Sequence, residues 1–149
     1  MTSAYRKSAE MLAAAADLLD QGEIVNRLSL GLTVAAAAIL LVPPLAPLAP
    51  VAILAVLAGM AELALAGRVR FDAALFRRAA ADAAADRFDM AAFDAALVTL
   101  RLMPAGKAGR PIENRFGGAR RLLVLQVGSF IVQVAIIAAG GVWEFVKLA

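Results

Sequence analysis

Residues 28–61 read LSLGLTVAAAAILLVPPLAPLAPVAILAVLAGMA, about 34 positions without one Asp, Glu, Lys or Arg. A single membrane-spanning helix needs about 20 apolar residues, so this run is too long for one. Its middle carries Pro43, Pro44, Pro47 and Pro50. Four prolines so close cannot sit inside a helix, because each lacks an N–H and clashes with the preceding turn. The stretch therefore folds back on itself. One helix runs to about Val42, a Pro-rich turn occupies 43–50, and a second helix starts near Pro50, where proline is tolerated in the first turn.

The two uncharged arms, Leu28–Val42 and Val51–Gly67, are about 15 and 17 residues, roughly 22 and 26 Å at 1.5 Å per residue. Ile24 and Val25 lengthen the first, with Arg27 snorkelling to the headgroups. Two full spans are expected, with a re-entrant hairpin as the alternative that arm length leaves open.

The second apolar run is simpler. Leu122–Val142 has no charge, is flanked by Arg120-Arg121 and Trp143-Glu144, and has the length of one span. Trp143 suits the headgroup level. The expectation is an all-α membrane protein with three transmembrane helices, at about 24–42, 50–67 and 121–142. By segment, 1–22 is a cytoplasmic amphipathic helix and 23–67 a transmembrane hairpin. Residues 68–120 are a cytoplasmic helical hairpin with a basic approach, and 121–149 the third span with a short external tail.

Composition agrees. Of 149 residues, 62% are hydrophobic and 18% charged, and the mean hydropathy is +0.80. A soluble domain averages about 45–50% apolar and about 25% charged, so this chain has more apolar surface than a small core can hide. Cys is 0 and His is 0, which removes the commonest metal ligands, thiol nucleophiles and near-neutral proton shuttles. The net charge of +3 does not indicate nucleic acid, because no dense basic block with interleaved aromatics occurs. Fourteen of the fifteen basic residues lie in 1–27 and 68–121, and only Lys147 follows the last span. The positive-inside rule then puts the N-terminus and central segment in the cytoplasm and the C-terminus outside. The first 22 residues carry Glu10, Asp17 and Asp20 and lack the apolar core of a signal peptide. Alanine is about a quarter of the chain and Arg outnumbers Lys, an association with GC-rich bacterial genomes and hence with a bacterial inner membrane.

Outside the spans, Thr2 or Ser3 can cap a helix to about Gln21, with Gly22 as its stop. Tyr5, Leu12 and Leu19 form its apolar stripe, opposite Glu10 and Asp17. The second span is expected to continue past Gly67 to about Ala85. Asp89 is a good N-cap for a new helix, and Phe88 and Phe93 can staple its start. Met90, Phe93, Leu97 and Leu100 recur at helical spacing and form a candidate partner face.

Four polar residues at membrane depth stand out. Glu62 is an ionisable group inside a span, expensive in hydrocarbon and a functional candidate by default; pairing with Arg68, Arg120 or Arg121 is its structural explanation. Gln126, Ser129 and Gln133 share one face of the third span, as helix–helix hydrogen-bonding groups or as a pore lining. Gly128, Ala135 and Ala139 are candidate close-approach positions. The carboxylates Asp72, Asp82, Asp86, Asp89 and Asp94 form a solvated face, since the register of a calcium loop is absent. No nucleophile elbow, phosphate loop, zinc motif or dinucleotide fingerprint occurs. No enzyme activity, metal or cofactor is expected. The expected role is a non-catalytic subunit, assembly factor or scaffold with a protein partner or a second copy; the alternative is a transport component acting as an oligomer.

Overall fold

The computed structural model describes residues 3–148. Thr2, one of the two candidate caps, lies outside the described residues, as do the side chains of Ser3 and Tyr5. Every regular element described is helical. Helix α1 is Ser3–Asp20, α2 Gly22–Ile39, α3 Ala49–Ala84, α4 Met90–Thr99 and α5 Ile112–Leu148. Short 3-10 turns occupy Pro43–Leu48 and Ala105–Lys107. Among the described residues, three helical stretches are long and apolar enough to cross a membrane: Arg6–Ile39, Pro43–Ala84 and Asn114–Lys147.

The Pro-rich turn is where the sequence placed it. The chain leaves α2 at Leu40, becomes extended at Val42, and winds through the proline segment as a 3-10 turn. Pro43 and Pro44 enter this turn at its first two positions, where an N–H would have no partner within the turn. Helix α3 starts at Ala49, with Pro50 in its first turn, and runs unbroken past Gly67 to Ala84.

Two boundaries differ from expectation. Gly22 does not stop α1 in a left-handed cap; Gln21, at φ −59° and ψ −25°, stays helical and Gly22 is the first residue of α2. Helix α5 begins nine residues before the anticipated span and passes Trp143 to Leu148. After Pro111, which fixes a helical φ at the entrance, nothing stops it: Gly117 and Gly118 each cost helix propensity but break no hydrogen bond.

Helix α4 starts as its sequence predicts. The Asp89 side chain accepts from the N–H groups of Ala91 (2.9 Å) and Ala92 (3.3 Å), and the Phe88 and Phe93 rings meet at 6.0 Å. The ends of α3 and α4 share one device. At the first, Arg87 N–H donates to Asp82 O and Asp86 N–H to Ala83 O; at the second, Leu102 N–H donates to Leu97 O and Arg101 N–H to Val98 O. Each is a Schellman closure, but with Asp86 (φ 54°) and Arg101 (φ 57°) in the left-handed position that glycine ordinarily takes. Neither end carries glycine as a stop signal.

The chain divides into two compact units, one comprising residues up to Leu19 with Phe71–Arg120, the other Asp20–Arg70 with Arg121 onward. In the first, the buried stripe of α1 is Ala9, Leu12, Ala15, Ala16 and Leu19, the phase expected, with Glu10 and Asp17 exposed. It shares that unit with the buried Ala73, Phe76, Ala79, Ala80 and Ala83 of α3. In the second, Ala36, Ala52 and Ala55 form a buried cluster, flanked by Ile39, Val56, Ile136 and Ile137. Alanine at these contacts lets backbones approach closely. Large apolar side chains, among them Leu57, Met60, Val124 and Ile131, are exposed instead, as expected of helices whose solvent is lipid.

Candidate functional site

The unit built from Asp20–Arg70 and the C-terminal part of α5 contains a polar seam. On α2, Gly22, Asn26, Ser29 and Thr33 follow a four-three-four spacing that keeps them on one face. Ala55, Ala58, Gly59 and Glu62 share one face of α3, and Gln126, Ser129 and Gln133 one face of α5. Glu62 is 1% exposed, and Gln126 and Gln133 are fully buried. Three of the four intramembrane candidates are therefore buried, and Ser129, partly buried, lies between two of them.

Their bonds run across helices. Gln133 Nε2 donates to Thr33 Oγ1 at 2.8 Å and to the Ala55 carbonyl at 3.2 Å, with a longer contact to Ser29 O at 3.4 Å. Ser29 returns a bond from Oγ to Gln133 Oε1 at 2.8 Å, and Thr33 Oγ1 donates back to Ser29 O. Ser129 Oγ donates to Ala58 O at 3.1 Å. Gln126 Nε2 donates to Gly22 O at 2.8 Å and to Glu62 Oε1 at 2.7 Å. Such interhelical bonds in membranes average about 0.6 kcal/mol each, so the seam contributes through number and geometry rather than through any one bond.

Space for the amides comes from Gly22, which the sequence suggested only as a helix stop, and from Gly59, which sequence reasoning did not single out. A Cβ on Gly22 would lie 2.7 Å from Gln126 Oε1, and one on Gly59 would collide with Thr33 Oγ1 and lie 2.7 Å from Gln133 Nε2. Gly140 is similarly closed by Val51. The anticipated positions Gly128, Ala135 and Ala139 are exposed, and a Cβ on Gly128 would meet nothing within 4 Å.

Glu62 departs from expectation in its partner. The arginine pairing anticipated for it is replaced by the Gln126 amide, and no ion pair of Glu62 is found among the described residues. Arg27 and Arg70 pair instead with Glu23, at 3.0 and 3.4 Å. The seam is incompletely matched near Glu62: the buried oxygens Gln126 Oε1 and Asn26 Oδ1 have no donor. A small void of about 20 Å³ lies between Asn26, Thr33, Gly59 and Glu62.

The other unit places the candidate partner face. Met90, Phe93 and Leu97 line a cavity of about 280 Å³, so three of the four residues look inward. Leu100, the C-cap residue of α4, is 66% exposed and is not on that wall. One carboxylate thought to be solvated is not. Asp94 is buried; its Oδ2 accepts from Gly109 N–H and from Arg115 Nη2, both at 2.7 Å. Burial pushes the Asp94 carboxyl up, but the Gly109 amide and the Arg115 guanidinium outweigh it and hold the group below the usual carboxylate range. Arg115 also donates from Nε to Arg110 O at 3.1 Å and contacts Met103 Sδ at 3.8 Å. One guanidinium thus ties α4, the 100–111 loop and the start of α5 together. Of the other acidic residues, Asp89 is the cap of α4 and Asp82 pairs with Arg87 at 3.6 Å.

Chemically, the Ser29, Thr33 and Ser129 hydroxyls donate to amide and carbonyl oxygens and none is aligned with a base. Among the described residues no group of three or more acidic side chains is placed to hold a metal ion. Comparison with protein-family models, curated proteins and solved structures found no match.

Proposed function

We propose that this chain is a small polytopic protein of a bacterial inner membrane with a non-catalytic role as a subunit, assembly factor or scaffold. The N-terminus and the 68–120 segment face the cytoplasm and the C-terminus faces outside, on the strength of the fourteen-to-one distribution of positive charge. The 68–120 segment acts as a helical hairpin presented to a protein partner. The observation that carries this reading is the use of the α5 polar face. Gln126, Ser129 and Gln133 bond to α2 and α3 of their own chain, which supports a self-locked platform over the lining of a path. A second reading, a transport component acting as an oligomer, draws on the unmatched oxygens beside buried Glu62.

The test is purification of the tagged full chain in mild detergent, beside a Leu100→Asp variant, with membrane potential followed during overproduction. The expected result is one distinct partner at constant stoichiometry, lost in Leu100→Asp while the amount of inserted protein and the membrane potential stay unchanged. Recovery of a homo-oligomer that depolarises cells overturns the scaffold reading in favour of transport.

A further inference from the structure

We propose that the cavity within the unit formed by α1, α4 and the adjoining parts of α3 and α5 is a binding site for one single-chain anionic amphiphile of the fatty-acid class. The first ground is size. At about 280 Å³ it is nearly twice the roughly 150 Å³ of an apolar cavity that takes up benzene, and near the lower end of ligand pockets, about 300 Å³. It accommodates one slender chain and not two.

The second ground is the wall. Phe71, Leu75, Phe76, Phe93, Leu97 and Met103 present an apolar surface, and the methionine adapts its shape to a flexible guest. Phe76 is held edge-on against Phe116, with ring centroids 6.4 Å apart, so that side of the wall has a fixed form.

The third ground is charge, and it selects the head group. Lys107, Arg110, Arg115 and Asp72 also line the cavity. Arg115 is neutralised by Asp94. Among the described lining residues, Lys107 and Arg110 stand against Asp72 alone, leaving a positive surplus even when Asp72 is counted in full. Both cations are exposed, so the positive side of the cavity is its solvent-facing rim. Both belong to the loop that the Asp94–Gly109 bond holds in place. A carboxylate at this rim with its chain against the phenylalanines satisfies both parts of the surface. A neutral or cationic amphiphile satisfies only the apolar part.

The experiment uses the full chain in phosphatidylcholine nanodiscs, exposed to a photoreactive diazirine derivative of decanoic acid or of decanol, with adducts located by peptide mass mapping. Saturable labelling of the 71–76 and 90–103 peptides by the acid, about tenfold stronger than by the alcohol, is expected; tenfold corresponds to about 1.4 kcal/mol. Gly118 lines the cavity and a Cβ there meets nothing within 4 Å, so Gly118→Leu should fill the site and cut labelling about tenfold. Hydrogen-exchange protection of 71–120 should stay unchanged in that variant. A Lys107→Ala/Arg110→Ala double variant, which leaves the apolar wall intact, should lose the preference for acid over alcohol while keeping the alcohol's labelling. Equal labelling by acid and alcohol in the unsubstituted chain overturns the proposal. So does non-saturable labelling spread over the spans, which is bilayer partition. Wild-type protection of the same peptides by a second copy of the chain, insensitive to added decanoate, overturns it as well.

Discussion

The two units are built from the same alanine-rich helices, yet they secure their packing by different chemistry. One, around Gln126 and Gln133, joins three helices mainly with amides and hydroxyls, Glu62 being the one ionisable member of the seam, and leaves its large apolar side chains outward. The other, around Arg115, gathers a short helix and a loop onto one buried ion pair. Neutral hydrogen bonds cost little to desolvate, and several weak ones can be distributed along a helix. A buried charge pair concentrates its effect: intact it contributes modestly, but broken it leaves an uncompensated charge. The first arrangement should tolerate single losses and the second should not.

The largest expected effect tests that contrast directly. Arg115→Ala strands Asp94 in its buried position and should destabilise that unit by about 3–5 kcal/mol. Hydrogen exchange should show protection lost in 90–111 and retained in 122–140. Equal loss in both regions would mean that the two units do not differ in this way.

Acid sharpens the same point. Because the folded-state pKa of Asp94 lies below its ordinary value, its contribution is complete above about pH 3.9 and disappears only as pH falls through the depressed folded value. Protection of the 105–111 loop should therefore hold from neutrality into the acid range. In Arg115→Gln the loss should begin at higher pH, since the guanidinium that lowers the pKa is gone. An unshifted profile would show that Arg115 is not what holds Asp94 ionised.

A smaller effect is expected at the seam. Gly59→Ala puts a methyl group against Thr33 Oγ1 and Gln133 Nε2 and should cost about 1–3 kcal/mol, read as a lower unfolding midpoint in detergent. The Gln133 amide can shift, but Thr33 is β-branched and its Cβ also lies 3.0 Å from the added carbon, so the upper part of that range is favoured. The smallest effect should come from Glu62→Gln. The new amide oxygen can still accept from Gln126, and an amide N–H enters beside the unmatched Asn26 Oδ1. Membrane abundance should be unchanged and stability altered by less than about 1 kcal/mol. Normal abundance with failed complementation of a deletion strain would instead mark the Glu62 carboxyl as functional, and would favour transport.

Much of the architecture was legible because its signals are local. A charge-free run interrupted by prolines, a second run of spanning length, and an aspartate followed by an apolar face each state their own helix or turn. The shared face of Gln126, Ser129 and Gln133 was legible for the same reason, as a spacing within one helix. Their partners were not. Nothing near Glu62 indicates that Gln126 faces it, because the two are 64 positions apart and the nearest arginines in sequence looked equally able to pair. Asp94 was misjudged because its environment is set by Gly109 and Arg115, 15 and 21 residues downstream. The two helix ends closed by Asp86 and Arg101 carry no glycine for a reader to find. Burial and pairing are properties of the assembled contact, and composition has no access to them.

The seam has a consequence for how the helices find one another. Its polar positions recur at seven-residue intervals: Gly22 and Ser29, Ala55 and Glu62, Gln126 and Gln133. A repeat of this kind invites a slipped alignment, in which one helix is displaced by two turns and Gln126 occupies the berth of Gln133. The berths are not equivalent, however. Gln126 sits over a glycine and meets a carboxylate, whereas Gln133 sits between two hydroxyls against Gly59. A displaced helix would drive Gln133 into the position of Gly140, where Val51 leaves no room for a side chain. The glycines therefore act as keyed notches: they lift the degeneracy of the repeat and leave one vertical alignment in which all three helices can close.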